Sequence, residues 1–564
     1  MIATVRRSIL NNTNQNSSRI RISKHMSSVS IAAAAATTTT TTTTTTRTMK
    51  QRRRRSHWWI GLGFLPFSTT TTTWTAGSAL AVMAAAYSPS SPSSSPSSCR
   101  PHIAVIGGGA SGIFASIAAA EHANGQADVT VLEGSPRTLS KVKISGGGRC
   151  NVLHDTSKPT SDILNGYPRG SKELQGLYYK HFTPATAREW FTSRGVTLKT
   201  EGDGRMFPTT DKSQTIIDTL LNAADEAGVQ IMKKQKVLSI AKSDSVTDGQ
   251  EDENNTNTNG RFMVETKDSP TPLEFDAIIL ATGSSKAGHA LAATLGHTIV
   301  DPVPSLFTLS SKPEVSEGGL FHGLSGLSVP TARLTLSVSS TPAAGNGASN
   351  PSKKKRQKKT KLQQEGPLLI THHGVSGPAA LRLSAFAARP FHDLNYQTTV
   401  QIHWAPSLGT SQQIADALWK CTSLSPRKAV ATICPLTLPE GGSAIPRRLW
   451  SSMVLASGMD SDMVWAEAPK KKVQALARMV AEFALQVTAK GVFKEEFVTA
   501  GGVALKEVDM KSMQSKQLPG LFFCGEVLDV DGVTGGYNFM NCWSTGHTAG
   551  THAAAFLQNI EHEP

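Results

Sequence analysis

The chain has 564 residues, which is enough for two or three domains that each bury a full hydrophobic core. Its net charge of +15 is concentrated in two segments: residues 1–100 hold twelve Lys or Arg and no acid, and residues 353–361 hold seven more, so the rest of the chain carries −4. This distribution excludes a basic groove for nucleic acid in the folded part, and only six Cys in such a length exclude a disulfide scaffold and indicate a reducing compartment.

Residues 1–100 are predicted to be a disordered targeting segment. An unbroken threonine run, Thr37–Thr46, and a Ser/Pro tract supply no hydrophobic core. Because the segment is rich in Arg and Ser and lacks acids, it resembles an organelle transit peptide, and we expect a mitochondrion or a plastid as its destination. The apolar patches Trp58–Phe67 and Ala79–Tyr87 are shorter than the ~20 residues of a membrane helix, so no stable span is expected. A merely disordered tail, or a wrongly assigned start codon, is the alternative.

A dinucleotide-binding unit is predicted to follow. The apolar run His102–Ile106 is typical of a buried parallel strand, and the small apolar residues Ala110–Glu121 predict a buried helix. Between them Gly107, Gly109 and Gly112 have the spacing G-x-G-x-x-G. Gly107 would permit the tight turn, Gly109 would let the backbone approach a pyrophosphate, and Gly112 would let the helix pack on the strand.

The cofactor is also expected to contact the start of this helix and the end of the next strand. Ala110 and Ser111 stand at the helix N-terminus, whose amides would face the phosphates. The strand Asp128–Glu133 ends in an acid, Glu133, about twenty residues after the last glycine, where a partner for ribose hydroxyls is expected. A plain α/β turn would not need strand, glycines, helix and terminal acid together.

A second glycine-rich segment, Lys141–Asn151, is predicted to be a loop whose amides face an anion. Arg149 would add a fixed charge, whereas Cys150 is expected to be packed rather than nucleophilic. A flexible surface loop is the alternative. The candidate cofactor residues of this segment are Lys141, Gly147, Gly148, Arg149, Cys150 and Asn151.

Further elements of the first cofactor-binding part follow in order. Lys172–Gly195 predicts a helix, Thr215–Gly228 an amphipathic helix, and Ile231–Ile240 a strand that carries the candidate contact Val237. Phe275–Gly283 predicts a buried strand with an Ala-Thr-Gly end. In two-dinucleotide flavoproteins such an end approaches the cofactor, so Thr282 and Gly283 are candidate contacts.

The middle of the chain changes character. Residues 301–410 alternate short β-like runs with Gly/Pro turns and predict a small β-barrel-like domain, interrupted by a disordered basic loop at 340–365. The alternative for Lys353–Lys359 is a nuclear localisation signal. A solvated insertion between two strands explains the same run without a receptor. Residues 411–490 are helical in pattern, notably Gln412–Trp419 and Val464–Val487.

His372 and His373 are the candidate catalytic residues of the barrel, because an imidazole exchanges protons near neutral pH. The alternative is that the Gly, Ser and Pro that follow only shape a turn and cap a helix at Ala379–Leu383.

From residue 491 the chain regains dinucleotide-fold character and is predicted to complete the first domain. The strand Gly520–Glu526 is followed by glycines and by a helix, Asn541–Leu557. Acids here would accept hydrogen bonds from ribityl hydroxyls, and the helix N-terminus would favour the negative edge of a reduced flavin. The candidate cofactor residues are Gly525, Glu526, Asp529, Gly535, Gly536, Tyr537 and Asn538.

Taken together, the motifs resemble the BaiN-type (aminoacetone oxidase-like) FAD-binding oxidoreductases, from about residue 102 to the end. Besides the Gly107 fingerprint, the specific segments are Lys141–Asn151, Glu201–Pro208, Leu369–Pro378, Val498–Val503, Ser515–Lys516 and Gly525–Asn538. The resemblance implies a glutathione-reductase-like FAD domain with inserted barrel and helical domains. The fold expected is therefore α/β, with a discontinuous Rossmann-like FAD-binding domain at 101–300 and 491–564.

Two absences narrow the chemistry. No two Cys have C-x₄-C or C-x₂-C spacing, so a disulfide relay is not expected. There is no second G-x-G-x-x-G, so a nicotinamide would dock without a Rossmann half of its own. No metal site is predicted.

The function expected is FAD-dependent reduction of an unsaturated or keto small molecule through flavin N5, with NAD(P)H as a transient donor. A flavin oxidase that passes electrons to oxygen is one alternative. Another is a flavin-bearing protein that binds RNA or a protein partner through Lys353–Lys361. Substrate, oligomeric state and organelle stay open.

The first prediction is that the purified protein is yellow and releases FAD, not FMN, when it is heated. Glu133 lies on the ribose side of the predicted pyrophosphate loop, and FMN has no adenosine ribose for it to bind. Chromatography of the released flavin decides between them, and FMN alone would contradict a site with two nucleotide halves.

Overall fold

The computed structural model describes residues 100–243, 260–339, 359–439, 441–491 and 498–562. The predicted targeting segment up to residue 99 lies outside these ranges, as do most of the predicted basic loop and the tract 244–259. Among the helices that are described, none is both long and apolar enough to cross a membrane.

The described residues up to Thr294 form ten strands and seven helices. The strands are β1 (His102–Ile106), β2 (Asp128–Glu133), β3 (Leu153–His154), β4 (Leu198–Thr200), β5 (Arg205–Pro208), β6 (Gln230–Lys233), β7 (Val237–Lys242), β8 (Phe262–Thr266), β9 (Leu273–Phe275) and β10 (Ala277–Leu280). The helices are α1 (Ala110–Ala123), α2 (Ser140–Gly148), α3 (Thr160–Leu164), α4 (Gln175–Lys180), α5 (Pro184–Ser193), α6 (Ser213–Glu226) and α7 (Lys286–Thr294).

The rest of the described chain adds twelve strands and seven helices. The strands are β11 (Ile299–Ser305), β12 (Leu309–Ser310), β13 (Ser328–Ser339), β14 (Lys359–Thr371), β15 (Gly374–Ser376), β16 (Thr398–His403), β17 (Phe483–Val487), β18 (Ala489–Lys490), β19 (Val498–Val503), β20 (Val508–Asp509), β21 (Gln514–Ser515) and β22 (Leu521–Phe523). The helices are α8 (Lys312–Val315), α9 (Pro378–Phe386), α10 (Ala388–Asp393), α11 (Ser411–Leu424), α12 (Arg447–Ala456), α13 (Lys470–Ala481) and α14 (Tyr537–His562).

A seven-stranded sheet carries the first glycine motif. Its order is β20-β21-β22-β10-β1-β2-β6, and the five strands from β22 to β6 pair in parallel. The central strand β1 is buried from Ile103 to Ile106, as its apolar sequence predicts for a strand with both faces covered. The predicted Rossmann-like α/β fold is confirmed.

The Rossmann-like part is discontinuous, as predicted. Strand β22 and helix α14 come from the C-terminal end of the chain, yet β22 pairs directly with β10. The antiparallel pair β11–β19 stands where the chain leaves this part and where it returns. The inserted domain therefore lies between two neighbouring strands.

The inserted domain contains a curled antiparallel sheet of order β17-β16-β13-β14-β15-β12-β18. Its two outer strands, β17 and β18, are separated in sequence by Thr488 alone. Because one residue spans only ~3.4 Å, the sheet must curl until its edges meet. The barrel-like character expected from the sequence follows from this connection.

Two main hydrophobic cores accompany these two sheets. One gathers side chains of residues 103–306 and 498–557, together with Ala385, and the other gathers side chains of residues 307–487. Helices α11, α12 and α13 share the second core with the curled sheet rather than having one of their own. The boundaries proposed for the separate domains stay a prediction.

Two predicted elements of the first part are wrong in extent. The expected helix Lys172–Gly195 is two helices, α4 and α5, because Pro184 begins α5 and lacks the amide that would continue α4. The expected strand Ile231–Ile240 is two strands in different sheets. The left-handed backbone of Lys234, with φ of 64°, turns the chain between β6 and β7.

Three later elements also differ from expectation. The helical run Val464–Val487 ends at Ala481, and Phe483–Val487 is strand β17, whose alternating buried Leu485 and Val487 are a period-two signal. The last helix, α14, begins at Tyr537 rather than at residue 541. Strand β14 begins at Lys359, inside the predicted basic loop, whose residues 340–358 lie outside the described ranges.

Helices α1 and α14 pack side by side through glycines. A Cβ at Gly546 would lie 2.8 Å from the Ser111 carbonyl oxygen, and one at Gly550 would lie 2.2 Å from that of Ala115. Both contacts advance in the same direction, so the two helices run parallel. Tyr537 stands nine residues before Gly546, and at a rise of about 1.5 Å per residue α14 begins ~14 Å beyond the level of Ser111.

We expect Gly550→Ala to lower the free energy of unfolding by about 1–3 kcal/mol, because the added methyl group meets backbone atoms that cannot turn aside. Gly176→Ala is the matched control. Gly176 is exposed in α4, its Cβ would meet no described atom within 4 Å, and alanine favours a helix. Urea unfolding of both variants measures the difference, and equal stabilities would contradict close packing of α1 on α14.

Candidate cofactor site

The three glycines of the first motif have three different surroundings. Gly107 has φ of 111°, and a Cβ there would lie 2.5 Å from the carbonyl oxygen of Ala281. A Cβ at Gly112 would lie 1.8 Å from the carbonyl oxygen of Gly107. At Gly109 a Cβ would meet no described atom within 4 Å. Gly107 and Gly112 are thus required by the protein's own packing, whereas Gly109 borders open space.

That open space lies at the N-terminus of α1. Gly109 is the N-cap residue, and because glycine has no side chain, no side-chain hydrogen bond caps the helix. The first turn, which includes Ala110 and Ser111, contains no acid. Amides of a first helical turn have no partners within the helix and carry partial positive charge. The place is therefore suited to a phosphate group.

Glu133 is held beside this helix end by two backbone amides. Its Oε2 accepts a hydrogen bond of 2.7 Å from Gly108 N, and its Oε1 accepts one of 2.7 Å from Ser135 N. Both oxygens keep further lone pairs for hydroxyl donors. Val237, another candidate, is buried at the start of β7. Gln235, two residues before it, donates its backbone amide to the Glu133 carbonyl oxygen.

The C-terminal strand brings a second group of candidates to α1. A Cβ at Gly525 would lie 2.3 Å from Ser111 Oγ, and Gly525 N donates to Thr545 Oγ1 at 2.9 Å. Glu526 follows, and its Oε2 accepts from Lys141 Nζ at 2.9 Å. A Cβ at Gly283 would stand 3.8 Å from the same oxygen. Candidates from three distant segments thus meet around Glu526.

The glycine segment after β2 is a short helix that ends in a left-handed turn. Ser145 is extended, and Gly146, Gly147 and Gly148 have φ of 57°, 71° and 85°. A Cβ at Gly147 or at Gly148 would meet no described atom within 4 Å, so this turn also borders open space. The expected loop is present from Ser145. The residues before it, from Ser140, form one helical turn that was not predicted because of the glycines that follow.

Cys150 and Asn151, which follow the glycine turn in sequence, hold it in place. Cys150 is fully buried, and burial raises the pKa of its thiol to about 12, so it is packed rather than nucleophilic. With the Asn151 amide oriented toward complementary partners, its oxygen accepts from Gly536 N at 3.0 Å and its nitrogen donates to Leu153 O at 3.0 Å. Asn151 therefore ties this turn to the C-terminal glycines.

Arg149 has partners that the sequence did not indicate. Its Nη1 lies 2.7 Å from Glu201 Oε1 and 3.4 Å from Asp211 Oδ1, and its guanidinium stacks 3.9 Å from the Phe207 ring centroid. The hydrogen bond to Glu201 is the main reason why the pKa of Arg149 is raised. The cation fixes the turn against β5, and its contact with an anion stays a prediction.

The N-terminus of α14 holds the last group of candidates. A Cβ at Gly536 would lie 2.3 Å from the Leu153 carbonyl, so only glycine allows this approach. The Asn538 amide closes the preceding loop by accepting from Gly532 N at 2.8 Å and donating to Gly532 O at 3.0 Å. The buried Tyr537 ring stacks on His154, with centroids 4.6 Å apart.

His154 supports this loop and was missed in the sequence. Its Nδ1 lies 2.9 Å from the Gly535 carbonyl oxygen and its Nε2 lies 3.2 Å from Lys158 Nζ, which assigns the proton to Nδ1. Burial lowers the pKa of His154, so the imidazole is neutral near pH 7. A single His outside any sequence motif gives no sign of its role, so only the contacts in the folded structure reveal it.

Asp529, on the segment that leads to α14, has an unsatisfied carboxylate oxygen. Its Oδ1 is buried and has no hydrogen-bond partner among the described residues, and burial raises the pKa of the group despite nearby Arg169 and Arg389. The neighbouring Asp531 is satisfied, since Arg169 holds both its oxygens and Ser305 Oγ donates to it at 2.8 Å. Asp529 is therefore the acid left available to hydroxyl donors.

The candidate catalytic residues lie in the inserted domain. His372 and His373 form the exposed turn between β14 and β15, where the His373 carbonyl accepts from Ser311 N at 2.7 Å. No hydrogen bond within the described ranges joins either imidazole to a candidate cofactor residue. Their catalytic role stays a prediction.

These surroundings fit a dinucleotide with hydroxyl-bearing linkers. Open space stands before Gly109 and before Gly147 and Gly148, and two buried oxygens, Thr282 Oγ1 and Asp529 Oδ1, lack partners in the described part of the chain. Phosphates suit the first helix end, and hydroxyl groups suit the unpartnered oxygens. Bound FAD would supply two-electron transfer at this place.

We expect Gly109→Val to fold normally and to lose FAD. The φ of Gly109 is −81°, which any residue adopts, and the new side chain would enter the open space rather than the protein. Gly176→Val, at an exposed glycine with equally free surroundings, is the control and should keep its flavin. Circular dichroism and the ratio of flavin to protein measure the outcome. A fully loaded Gly109→Val variant would show that the pyrophosphate lies elsewhere.

Comparison with known proteins finds relatives that span most of the chain. A 3-dehydro-bile acid delta(4,6)-reductase of Clostridium scindens is 27% identical over 464 residues, covering 80% of this chain and 98% of the relative. A ribosomal RNA dihydrouridine synthase of Haemophilus influenzae is 27% identical over 454 residues, with coverage of 78% and 96%. The structure of 3-ketosteroid delta1-dehydrogenase from Sterolibacterium denitrificans superposes with a TM-score of 0.39 at 12% identity, over 80% of this chain and 99% of that one.

The family description "HI0933-like protein Rossmann domain" matches residues 101–552. The match includes both glycine segments, the inserted domain and most of α14. The chain belongs to the HI0933-like family of FAD-binding Rossmann proteins and is an FAD-dependent oxidoreductase.

Proposed function

We propose that this enzyme uses NAD(P)H to reduce a carbon–carbon double bond conjugated with a carbonyl group. The observation that carries the proposal is the chemistry shared by two relatives of almost equal similarity. A 3-dehydro steroid with double bonds at positions 4 and 6 is a conjugated dienone. Uridine becomes dihydrouridine by saturation of a ring double bond conjugated with a carbonyl. Both reactions add a hydride and a proton across an activated double bond.

The thiols of the described residues support direct transfer rather than a thiol relay. Cys150 and Cys524 are fully buried, and burial raises the pKa of each to about 12. A thiol with such a pKa is not a thiolate near pH 7 and does not exchange disulfides. Reducing equivalents would therefore pass from the donor to the substrate without a cysteine pair.

An RNA uracil is the second candidate substrate. It is favoured by the dihydrouridine synthases, since the relative from Escherichia coli is also 26% identical, over 448 residues. The small-molecule alternative is favoured by charge, because the chain outside residues 1–100 and 353–361 carries −4 and RNA binding draws on Lys and Arg. The two candidates require different substrates in the same assay.

The proposed donor makes a kinetic prediction. Anaerobic mixing of the flavin-loaded protein with NADH or NADPH should remove the visible flavin absorbance before any substrate is added. With one Rossmann nucleotide site, already assigned to FAD, donor and substrate would alternate, so steady-state kinetics should be ping-pong. Stopped-flow spectroscopy measures both. Absence of reduction by either nucleotide would contradict the proposed donor.

The substrate test uses the same loaded protein. A 3-oxo-4,6-diene steroid and a uridine-containing RNA are offered with the donor, with the saturated steroid as control, and mass spectrometry seeks a gain of two hydrogen atoms. Gain in the steroid favours the small-molecule candidate, and gain in RNA favours the second. Rapid hydrogen peroxide formation with neither product would indicate the oxidase alternative.

A further inference from the structure

A cavity of about 610 Å³ lies between the Rossmann-like part and the inserted domain. Helix α7 and strands β11 and β19 supply one side, and α10 and β18 supply the other. Its polar lining residues include Ser284, Lys286, His289, His392, Lys490 and Thr499. The volume is that of a pocket for a nucleotide-sized ligand.

The described lining of the cavity carries two lysines. Lys286 is exposed at the start of α7, and Lys490 lies on the opposite side with its Nζ 5.8 Å from the Tyr396 ring centroid. None of the described residues that line the cavity is acidic. The N-terminus of α7 adds its own partial positive charge beside Lys286. The two lysines and the helix end favour an anionic ligand.

A buried imidazole also faces this region without a partner. His289 is 5% exposed, and neither ring nitrogen has a hydrogen bond within the described part of the chain. Burial lowers its pKa, so the ring is neutral and offers one donor and one acceptor. Buried polar groups are normally satisfied, so a ligand with hydroxyl or carbonyl groups is the expected partner.

The cavity adjoins the cofactor site. Ser284 Oγ, on its wall, lies 3.4 Å from Lys141 Nζ, and the same Nζ donates to Glu526 Oε2 at 2.9 Å. Ser284 also directly follows Thr282 and Gly283, two of the candidate FAD contacts. A ligand held here would therefore reach the cofactor from the side of the inserted domain.

We propose that this cavity binds the phosphate-bearing part of the nicotinamide nucleotide donor, with Lys286 and Lys490 pairing with its phosphates. The inference rests on the proposed function, which requires such a donor and finds no second Rossmann motif for it. A nucleotide fits better than an RNA strand, because the cavity is lined by only two lysines and the chain outside residues 1–100 and 353–361 carries −4, whereas RNA binding draws on many Lys and Arg.

Binding of ADP-ribose, NAD⁺ and NADP⁺ to the full-length, FAD-loaded protein tests the proposal by calorimetry. We expect Lys286→Gln and Lys490→Gln each to weaken binding about tenfold, since each removes one charge-assisted contact with phosphate. Lys490→Arg should keep most of the affinity. Lys471→Gln, at an exposed position of α13, is the control and should bind as the unchanged protein does.

Kinetics separate this inference from the proposed function. In stopped flow, the lysine variants should need about tenfold more donor while the limiting rate of flavin reduction stays unchanged. Reduction with unaltered donor dependence in both variants would overturn the cavity assignment and leave the proposed function intact. If neither nucleotide reduces the unchanged protein, the proposed function fails, and weaker ADP-ribose binding by the variants would still support the cavity. Loss of RNA binding without loss of ADP-ribose binding would overturn the inference in favour of RNA.

Discussion

The parallel packing of α1 against α14 is the constraint on which the site depends. Gly546 and Gly550 let the two backbones approach until no Cβ fits between them. The contact fixes the two N-termini on one side of the sheet, about 14 Å apart along the helices. Each helix end carries partial positive charge and unpaired amides. The fold thus presents two electropositive points at a fixed separation.

Several candidate residues connect the segments around these two helix ends. Gly525 packs on Ser111, and Glu526 meets Lys141 beside Gly283. Asn151 joins the glycine turn after β2 to Gly536 at the start of α14. Segments far apart in sequence therefore meet near the two helix ends. A single extended dinucleotide is the ligand that we propose for them.

Much of this site could be predicted from the sequence, because glycine spacing and strand-terminal acids have few other structural explanations. The roles of individual glycines could not be separated in that way. Only their surroundings distinguish Gly109, which borders open space, from Gly107 and Gly112, which the protein itself needs. Arg149 was predicted to add a fixed charge, but its partners Glu201 and Asp211 were not foreseen, because they lie fifty or more residues away in sequence. His154, a buried support without a motif, gave no signal.

The errors in secondary structure have local causes. Pro184 divides one expected helix, and the left-handed Lys234 divides one expected strand. Strand β17 was read as part of a helix because Lys470–Ala481 directly precedes it, although Phe483, Leu485 and Val487 alternate. The inserted sheet was foreseen from its short runs and turns. Its curled form depends on Thr488 joining its two edges, which only the pairing of the strands reveals.

The most direct measurement is a crystal structure of the protein with FAD bound. We expect the pyrophosphate oxygens within about 3 Å of the first-turn amides of α1, next to Gly109. The flavin edge should lie at the N-terminus of α14, and a ribityl hydroxyl should donate to Asp529 Oδ1. A pyrophosphate placed away from α1, or a flavin ring that does not reach α14, would contradict the account of one cofactor held between two helix ends.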